Sequence, residues 1–429
     1  MRSLCAISFA ALLQVCSGQL SAQPITHLTL DEAQKLALQN NPRLSSAKYS
    51  AAALRQVPLQ YRANFEPNMA GSFTSVGADN GSRLAAGGLN NPVVYDRVGS
   101  GLLVSQLITD FGRTSNLVGM AKLQADAQDQ ATETARAQIL LATSAAYFSV
   151  LKAQAVLKVA DQTVAARQLV VDQVTALAES KLKSTLDVSF ANVNLSDAKL
   201  LQVQAQNDVK ATEAQLGNAM GLPNETAFTL AEEQLPDPLP DTVNPLVQQA
   251  LQDRPELKDL RLQYGAAQRF VSAEHALYFP SVGVIGTAGF APAGEAAIPG
   301  RYGAIGLNVT IPIFNGGLYK ARKTEADLKA KAANEDISDE ANRVVRDVRI
   351  AFLNATTAAD RMSLTKQLLD QAQLALDLAQ SRYDLGLGSI VELSQAQLNL
   401  TSAQIANTSA KYDYQNQRVN LNYQVGALR

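Results

Sequence analysis

A single acidic residue follows a glycine-containing break in a long helical pattern near the carboxyl end of the chain. The stretch Tyr383–Leu400 reads YDLGLGSIVELSQAQLNL, with Gly386 and Gly388 in the break and Glu392 just after it. Both glycines can adopt the positive φ that a tight turn between two helices requires. The stretch therefore predicts a helical hairpin whose returning helix carries a carboxylate in its first turn. The chemistry of such a carboxylate is electrostatic, because the positive end of the helix dipole stabilises it.

Residue types that perform catalysis or bind metals are scarce or badly spaced elsewhere in the chain. The two histidines, His27 and His275, lie far apart, and both cysteines lie within the first sixteen residues. Asp110 begins an Asp-Phe-Gly triplet, but no glycine-rich loop or catalytic-loop pattern of a kinase accompanies it. We therefore expect no enzyme activity, no metal site and no cofactor.

The composition excludes a strongly basic nucleic-acid-binding protein. The 429 residues carry a formal net charge of −2, and 47% of them are hydrophobic. At the amino terminus, Arg2 precedes a short apolar run and a small residue, Ala22, which together predict a signal peptide over 1–22. A weaker resemblance to a lipobox ends at Cys16, so lipidation is the alternative there. Either pattern predicts export to the cell envelope.

The chain contains a long internal repeat. ALQNNPRL at Ala37–Leu44 returns as ALQDRPEL at Ala250–Leu257, and farther along Asp187 aligns with Glu392 at an offset of 205 residues. Each half is expected to open with a short helix that ends before the proline of this motif, followed by a helix of about twenty residues. The repeat divides the chain into a first repeat at 27–222, a linker at 223–242 and a second repeat at 243–427.

Each repeat contains two segments in which apolar residues alternate with small or polar ones. In PSVGVIGTAGF, Val282, Val284 and Phe290 fall on one face, with Ile285 as an apolar exception on the other. Such alternation predicts strands with one apolar face, and about ten residues is the length with which a tilted strand crosses a bilayer. The predicted strands lie at about 67–78, 97–109, 280–290 and 302–313.

Each repeat continues with a helical hairpin far longer than a compact globular domain needs. Arg113–Ser180 contains no proline, and Leu318–Leu385 contains neither proline nor glycine. At 1.5 Å per residue, each of these helices extends on the order of 100 Å. The returning helices are expected at about 185–221 and 390–427, and the hairpin tips at about 181–186 and 384–390.

Four strands cannot close a membrane barrel, because the smallest barrels have about eight and open sheet edges are not tolerated in lipid. If these strands cross a membrane, several chains must share one barrel, and three copies would give twelve strands. The alternative is an envelope coiled-coil scaffold with soluble β-hairpins and no pore. Membrane extraction separates the two hypotheses, because carbonate or salt releases a scaffold, whereas a barrel leaves the membrane in detergent.

Several signals together resemble the outer-membrane efflux proteins, the TolC family, over essentially the whole chain after the signal peptide. They are the doubled halves, LTLDEAQKLALQNNPRL near the start, LITDFGR and IPIFNGG at the two strand-to-helix exits, and RYDLGLGSIVELSQAQLNL before the last helix. The resemblance implies a mainly α-helical fold with a membrane β-barrel portion. It also implies a homotrimer in the outer membrane, with a twelve-stranded barrel continued by a helical tunnel in the periplasm.

The resemblance also implies roles for residues at the hairpin tips. Tyr383 falls where the family has a tyrosine that helps to hold the entrance closed, and Glu392 where it has the first of two aspartates that ring the constriction. Gln395 replaces the second aspartate, and Gly388 stands where an arginine ties the gate, so this ring should carry half the charge. Three copies of Glu392 about one axis would form an acidic ring that favours cations. The alternative for Glu392, and more strongly for its equivalent Asp187, is a solvated carboxylate that the helix dipole stabilises.

The function and partners that the family implies are those of a passive exit duct in a tripartite efflux or type I secretion system. An inner-membrane pump, of the resistance-nodulation-division or ABC type, would deliver substrate through a periplasmic adaptor protein docked at the tips. The expected partners are further copies of the chain, the adaptor, the pump and outer-membrane lipid, with no nucleic acid. The docking candidates at the tips are Lys183, Ser184, Gly386, Leu387 and Gly388.

Overall fold

The computed structural model describes residues 28–77, 79, 97–222, 228–292 and 300–428. The predicted signal peptide, with Cys16, and most of the two predicted hairpin loops lie outside this part of the chain. The first repeat comprises α1 (Leu30–Asn40), α2 (Pro42–Leu54), α3 (Val57–Arg62), β1 (Asn68–Val76), β2 (Arg97–Thr109), α4 (Arg113–Glu179) and α5 (Thr185–Ala219). The second comprises α6 (Asn244–Asp253), α7 (Pro255–His275), β3 (Ser281–Phe290), β4 (Arg301–Thr310), α8 (Leu318–Asp384) and α9 (Ile390–Val425).

Capping residues and prolines set the ends of the short helices. The Thr29 hydroxyl accepts a hydrogen bond from the Glu32 backbone N–H at 3.3 Å, and the Glu32 carboxylate accepts one from the Thr29 N–H at 2.9 Å, so α1 begins with a capping box. After the X-Pro step of the second repeat, α7 has 21 residues, close to the predicted twenty. In the first repeat the prediction of one such helix is wrong. The helix breaks at Arg55–Gln56 because Pro58, in the first turn of α3, has no backbone N–H to donate.

The four strands form one antiparallel sheet in the order β1-β2-β3-β4. Its register aligns Val104, Gly286 and Ile305 in one cross-strand row, so the apolar faces that the alternation predicts lie on the same side of the sheet. On this side Phe73 and Ile305 are 74% and 83% exposed. The sheet therefore presents an uncovered apolar face, and β1 and β4 are its two edges.

Glycines turn the chain from the sheet into both long helices. Gly112 precedes α4 and Gly317 precedes α8, with φ angles of 97° and 85°, a region that glycine adopts without strain. In the Asp-Phe-Gly triplet, the Oδ2 atom of Asp110 accepts hydrogen bonds from the backbone N–H of Thr114 at 2.7 Å and from its hydroxyl at 2.5 Å. The triplet is therefore a helix start, and its buried acid caps the first turn.

The four long helices lie side by side. α4 packs against α5 on one side and α9 on the other, and α8 packs against α9, which gives the order α5-α4-α9-α8. α4 and α8 each have 67 residues, or about 100 Å. α4 includes a window of mean hydropathy 1.4 that is long and apolar enough to cross a bilayer, but half of that window is buried inside the protein. The order leaves α5 and α8 at the two edges of the helical layer.

Two glycines let the ends of the returning helices approach the backbone between pairs of short helices. Gly221 follows α5 with a φ of 73°, and a Cβ there would lie 2.8 Å from the carbonyl oxygen of Asn40. Gly426 follows α9 with a φ of 77°, and a Cβ there would lie 3.2 Å from the backbone nitrogen of Arg254. α5 therefore abuts the junction of α1 and α2, and α9 abuts that of α6 and α7, through close backbone contacts.

A buried tyrosine ties the ends of the first repeat together. The Tyr147 hydroxyl lies 2.9 Å from the carbonyl oxygen of Leu28 and 2.6 Å from that of Ala231. Leu28 and Leu230 form a parallel β-bridge at this point. Phe352, the equivalent residue of the second repeat, has no hydroxyl. Tyr147 thus fixes both the amino-terminal segment and the linker to α4.

Candidate constriction at the helical tips

Two turns of five residues form the tips, one between α4 and α5 and one between α8 and α9. The Leu182 N–H donates to the carbonyl oxygen of Leu177 at 2.9 Å, and the Leu387 N–H donates to that of Arg382 at 2.8 Å. Both are the six-residue hydrogen bonds of a Schellman-type helix end. The repeat therefore extends to the backbone of the tips.

The residue whose backbone lies in the left-handed region differs between the two tips. Gly386 has a φ of 73°, and at the equivalent place Lys181 has a φ of 62°. Gly388 does not lie in this region, so a positive φ is not the reason for glycine there. Gly388 instead provides space, because a Cβ at this position would lie 3.2 Å from both the Cβ of Arg382 and the backbone nitrogen of Tyr383.

Asp187 caps the start of α5. Its Oδ2 atom accepts hydrogen bonds from the Ser184 N–H and the Ser184 hydroxyl, both at 3.0 Å. The Ser184 hydroxyl in turn accepts the Asp187 N–H at 3.2 Å, which completes a capping box. This geometry favours the alternative in which Asp187 is a structural carboxylate.

Glu392 takes a different partner. The Ser389 hydroxyl accepts the Glu392 N–H at 3.1 Å, but the Glu392 carboxylate lies 3.1 Å from Nε of Arg382 instead of returning to the cap. Nη2 of Arg382 also donates to the carbonyl oxygen of Leu387 at 3.3 Å. Arg382 therefore fastens the turn to both helices and compensates the charge of Glu392.

Arg382 was not among the predicted site residues, although its place in the sequence carries a signal. A basic residue in the last turn of one helix and an acidic residue in the first turn of the next are both favoured by the helix dipole. When the two helices are joined by a short turn, these two residues come close together.

Glu392 and Gln395 share the exposed face of α9. The Gln395 side-chain amide donates to the Asn399 carbonyl oxygen at 3.0 Å. One turn beyond Glu392, the face thus carries two amides hydrogen-bonded to each other. Near the tip this face carries these polar side chains beside the exposed Val391 and Leu398, and the Glu392 carboxylate is paired within the chain.

Tyr383 joins the tips of the two hairpins. The residue is only 7% exposed, and it packs with Val174 of α4 and Leu393 of α9. The Nζ atom of Lys183, in the turn of the first hairpin, lies 4.0 Å from the centre of the ring. A cation at this distance over an aromatic face makes a cation–π contact.

The Tyr383 hydroxyl is buried and has no hydrogen-bond partner among the described residues. Burial, together with the nearby charges of Asp187 and Asp384, raises the pKa of this phenol.

A second polar contact between the hairpins lies farther from the tip, where the Asn194 amide donates to the Ser394 hydroxyl at 2.8 Å.

The residues predicted from the sequence thus fall into two groups. Lys183, Asp187 and Tyr383 gather at the boundary between the hairpins, whereas Glu392 and Gln395 lie on the exposed face of α9. Leu182 and Leu387 occupy equivalent positions in the two turns, and they are 71% and 69% exposed. In the part of the chain that the structure describes, no group of three or more His, Cys, Asp or Glu side chains could hold a metal ion.

Residues 33–222 and 246–427 match the family model described as outer membrane efflux protein. The chain is 24% identical over 420 residues to the outer membrane protein TolC of Salmonella enteritidis, an alignment that covers 93% of this chain and 83% of that protein. It is also 24% identical over 402 residues to the solvent efflux pump outer membrane protein SrpC of Pseudomonas putida, covering 90% and 82%. The solved structure of the outer membrane protein VceC from Vibrio cholerae shares the fold, with a TM-score of 0.78 at 20% identity over 92% of this chain and 96% of that one.

Proposed function

Because this chain belongs to the outer membrane efflux protein family, a family of outer-membrane channel proteins, we propose that three copies of it form a passive exit duct. Substrate would pass from the periplasmic tips, through a helical tunnel, to a barrel in the outer membrane. The observation that carries this proposal is the open four-stranded sheet with an uncovered apolar face. Such a face suits lipid, but its two free edges do not.

The free edges give the reason for several copies. Transmembrane barrels need about eight strands or more, because every backbone group must find a partner within the lipid. Pairing β4 of one copy with β1 of the next would remove both edges. Three copies, each with the sheet order β1-β2-β3-β4, would close a barrel of twelve strands.

The helical layer also has two edges, and the repeat suggests how they meet. Phe148 of α4 is 3% exposed, whereas its equivalent Leu353 of α8 is 62% exposed. Within the chain α4 packs against α9, so by the repeat α8 would pack against α5, the equivalent of α9, from the next copy. This contact would bury Leu353 and close the layer into a tunnel.

The tips are the proposed docking surface for a periplasmic adaptor protein. Leu182 and Leu387 offer exposed apolar side chains at equivalent positions of the two turns. Lys183, Ser184 and Gly388 flank them. An inner-membrane pump, of the resistance-nodulation-division or ABC type, would supply the energy, and outer-membrane lipid would surround the barrel.

We further propose that Glu392 and Gln395 face the axis at the constriction. Three copies of Glu392 would then ring the entrance, each paired with Arg382 of its own chain at 3.1 Å. This pairing weakens the electrostatic effect that bare carboxylates would have, since each negative charge has a positive one beside it. Selectivity for cations is therefore expected to be modest.

Conductance and membrane extraction test this function together. The full-length protein, purified in detergent, is expected to give discrete current steps in a planar bilayer and to resist release from membranes by carbonate. Protein that carbonate releases and that gives no current would instead be the envelope scaffold with no pore. We propose that residues 1–22 are removed during export, so the purified protein should begin after Ala22.

A further inference from the structure

We infer that Lys183 and Tyr383 form a latch between the two hairpins of one chain, and that the cation–π contact, not the tyrosine hydroxyl, holds it. This inference rests on the proposed function, in which the tips form the closed entrance of the duct. Lys183 belongs to the turn of the first hairpin, and Tyr383 to the last turn of α8 in the second. Their contact therefore crosses the boundary that widens when the hairpins separate.

The surroundings of the ring strengthen the contact. The Lys183 ammonium lies 4.0 Å from the ring centre, well within the roughly 6 Å over which a ring attracts a cation. Val174, Ile390 and Leu393 pack with Tyr383 and keep its ring buried. The attraction is greater where water is excluded, so a buried ring makes a stronger partner than an exposed one.

The hydroxyl adds no bond to this latch. Buried tyrosine hydroxyls usually find a hydrogen-bond partner, but that of Tyr383 has none among the described residues. A tyrosine that held the hairpins together by hydrogen bonding would need an acceptor or donor from α4 or α5. Phenylalanine at this position should therefore hold the hairpins as well as tyrosine does.

The repeat shows that the contact occurs once in each chain. The equivalent of Tyr383 in the first hairpin is Ala178, and the equivalent of Lys183 in the second is Gly388. A boundary between the second hairpin of one copy and the first hairpin of the next would bring Ala178 and Gly388 to this place. In a trimer, the three boundaries within chains would be latched in this way and the three between chains would not.

Single-channel conductance of the full-length protein tests the latch. Lys183→Met and Tyr383→Leu remove the contact, and each is expected to raise the mean conductance of the resting channel by at least about two-fold. Lys183→Arg and Tyr383→Phe keep a cation and a ring, and are expected to conduct like the unmodified protein. Lys181→Met is the matched control, because it removes the same charge from an exposed residue of the same turn.

The double variant Lys183→Met with Tyr383→Leu should conduct like either single variant, because both remove one contact. If Tyr383→Phe conducts like Tyr383→Leu, the hydroxyl holds the latch and the inference is wrong. If Lys183→Met conducts no more than Lys181→Met while the unmodified protein forms channels, Lys183 takes no part and only the latch is overturned. If the unmodified protein gives no current, the proposed function fails, and the inference fails with it.

Discussion

Arg322 of α8 donates two hydrogen bonds, at 2.6 and 2.8 Å, to the carboxylate of Glu274 in α7. The Glu274 side chain is buried and that of Arg322 is half-exposed. The pair joins the long helix of the second repeat to the short helix that leads into β3. A buried carboxylate without a cation beside it destabilises the folded state. This ion pair therefore stabilises the packing of α7 against α8.

Arg322→Met should lower the free energy of unfolding by about 3 kcal/mol, because it leaves the buried Glu274 charge without a partner. Adding Glu274→Gln should restore at least half of the loss, since the amide carries no charge. Thermal unfolding of the detergent-solubilised protein measures both. Lys329→Met, which breaks an exposed pair with Glu325, should leave stability almost unchanged. Equal losses of stability from Arg322→Met and Lys329→Met would contradict a special role for Glu274.

Arg382 and Glu392 should set the ion selectivity of the entrance in opposite directions. Arg382→Gln would free the Glu392 carboxylates and increase the preference for cations, whereas Glu392→Gln would free the guanidinium groups and reduce it. The double variant should lie close to the unmodified protein. The reversal potential across a salt gradient measures the preference. Identical potentials for all four proteins would mean that these side chains do not face the conducting path.

Alanine variants of Gly221 and Gly386 distinguish the loss of stability caused by backbone strain from the loss caused by a steric clash. Both have a φ of 73°, but a Cβ at Gly386 would meet nothing within 4 Å, whereas one at Gly221 would lie 2.8 Å from the Asn40 carbonyl. Gly386→Ala should therefore cost about 1 to 2 kcal/mol from strain alone. Gly221→Ala should cost more, because α5 must also move from the α1–α2 junction. Chemical denaturation of the two variants measures both losses of stability. Equal losses would show that α5 can move away from the α1–α2 junction at little cost.

Acid should loosen the linker where it crosses α9. Glu232 accepts a hydrogen bond from Nζ of Lys411 at 2.5 Å, and this bond lowers the pKa of Glu232 below its ordinary value of 4.5. A carboxyl group with a lowered pKa stabilises the folded state above its unfolded pKa, and that stability is lost as the pH falls through the folded pKa. Amide exchange across 228–242 should therefore be faster at low pH than the intrinsic rate predicts. Glu232→Gln should show the fast exchange at neutral pH as well. A linker whose protection is the same at pH 3 and pH 7 would contradict this.

The mainly helical fold with four strands could be predicted because its signals are local. Apolar residues at every second position indicated the strands, and the absence of proline indicated the long helices. The offset between Asp187 and Glu392 aligned the two repeats, so that each element of one predicted its equivalent in the other. The break between α2 and α3 was also local, since Pro58 has no counterpart at Val271 in α7. It was missed because the two halves were expected to match.

The contacts at the tips could not be predicted in the same way. Lys183 and Tyr383 lie 200 residues apart, and their contact depends on how two hairpins pack, which one hairpin's sequence does not contain. The role of Gly388 was likewise hidden, because lack of space beside Arg382 and Tyr383 leaves no mark on the local pattern. The roles of Glu392 and Gln395 at an axis remain predictions.

The equal length of α4 and α8, 67 residues each, constrains how the two hairpins can evolve. A heptad inserted into one hairpin would lengthen it by about 10 Å and leave its tip protruding beyond the other. The contact of Lys183 with Tyr383 would then slip by two turns, and a docking partner would meet a stepped rim instead of a level one. Insertions or deletions in one hairpin are therefore tolerable when the other changes by the same amount, so the duplicated halves are free to diverge in sequence but not in length.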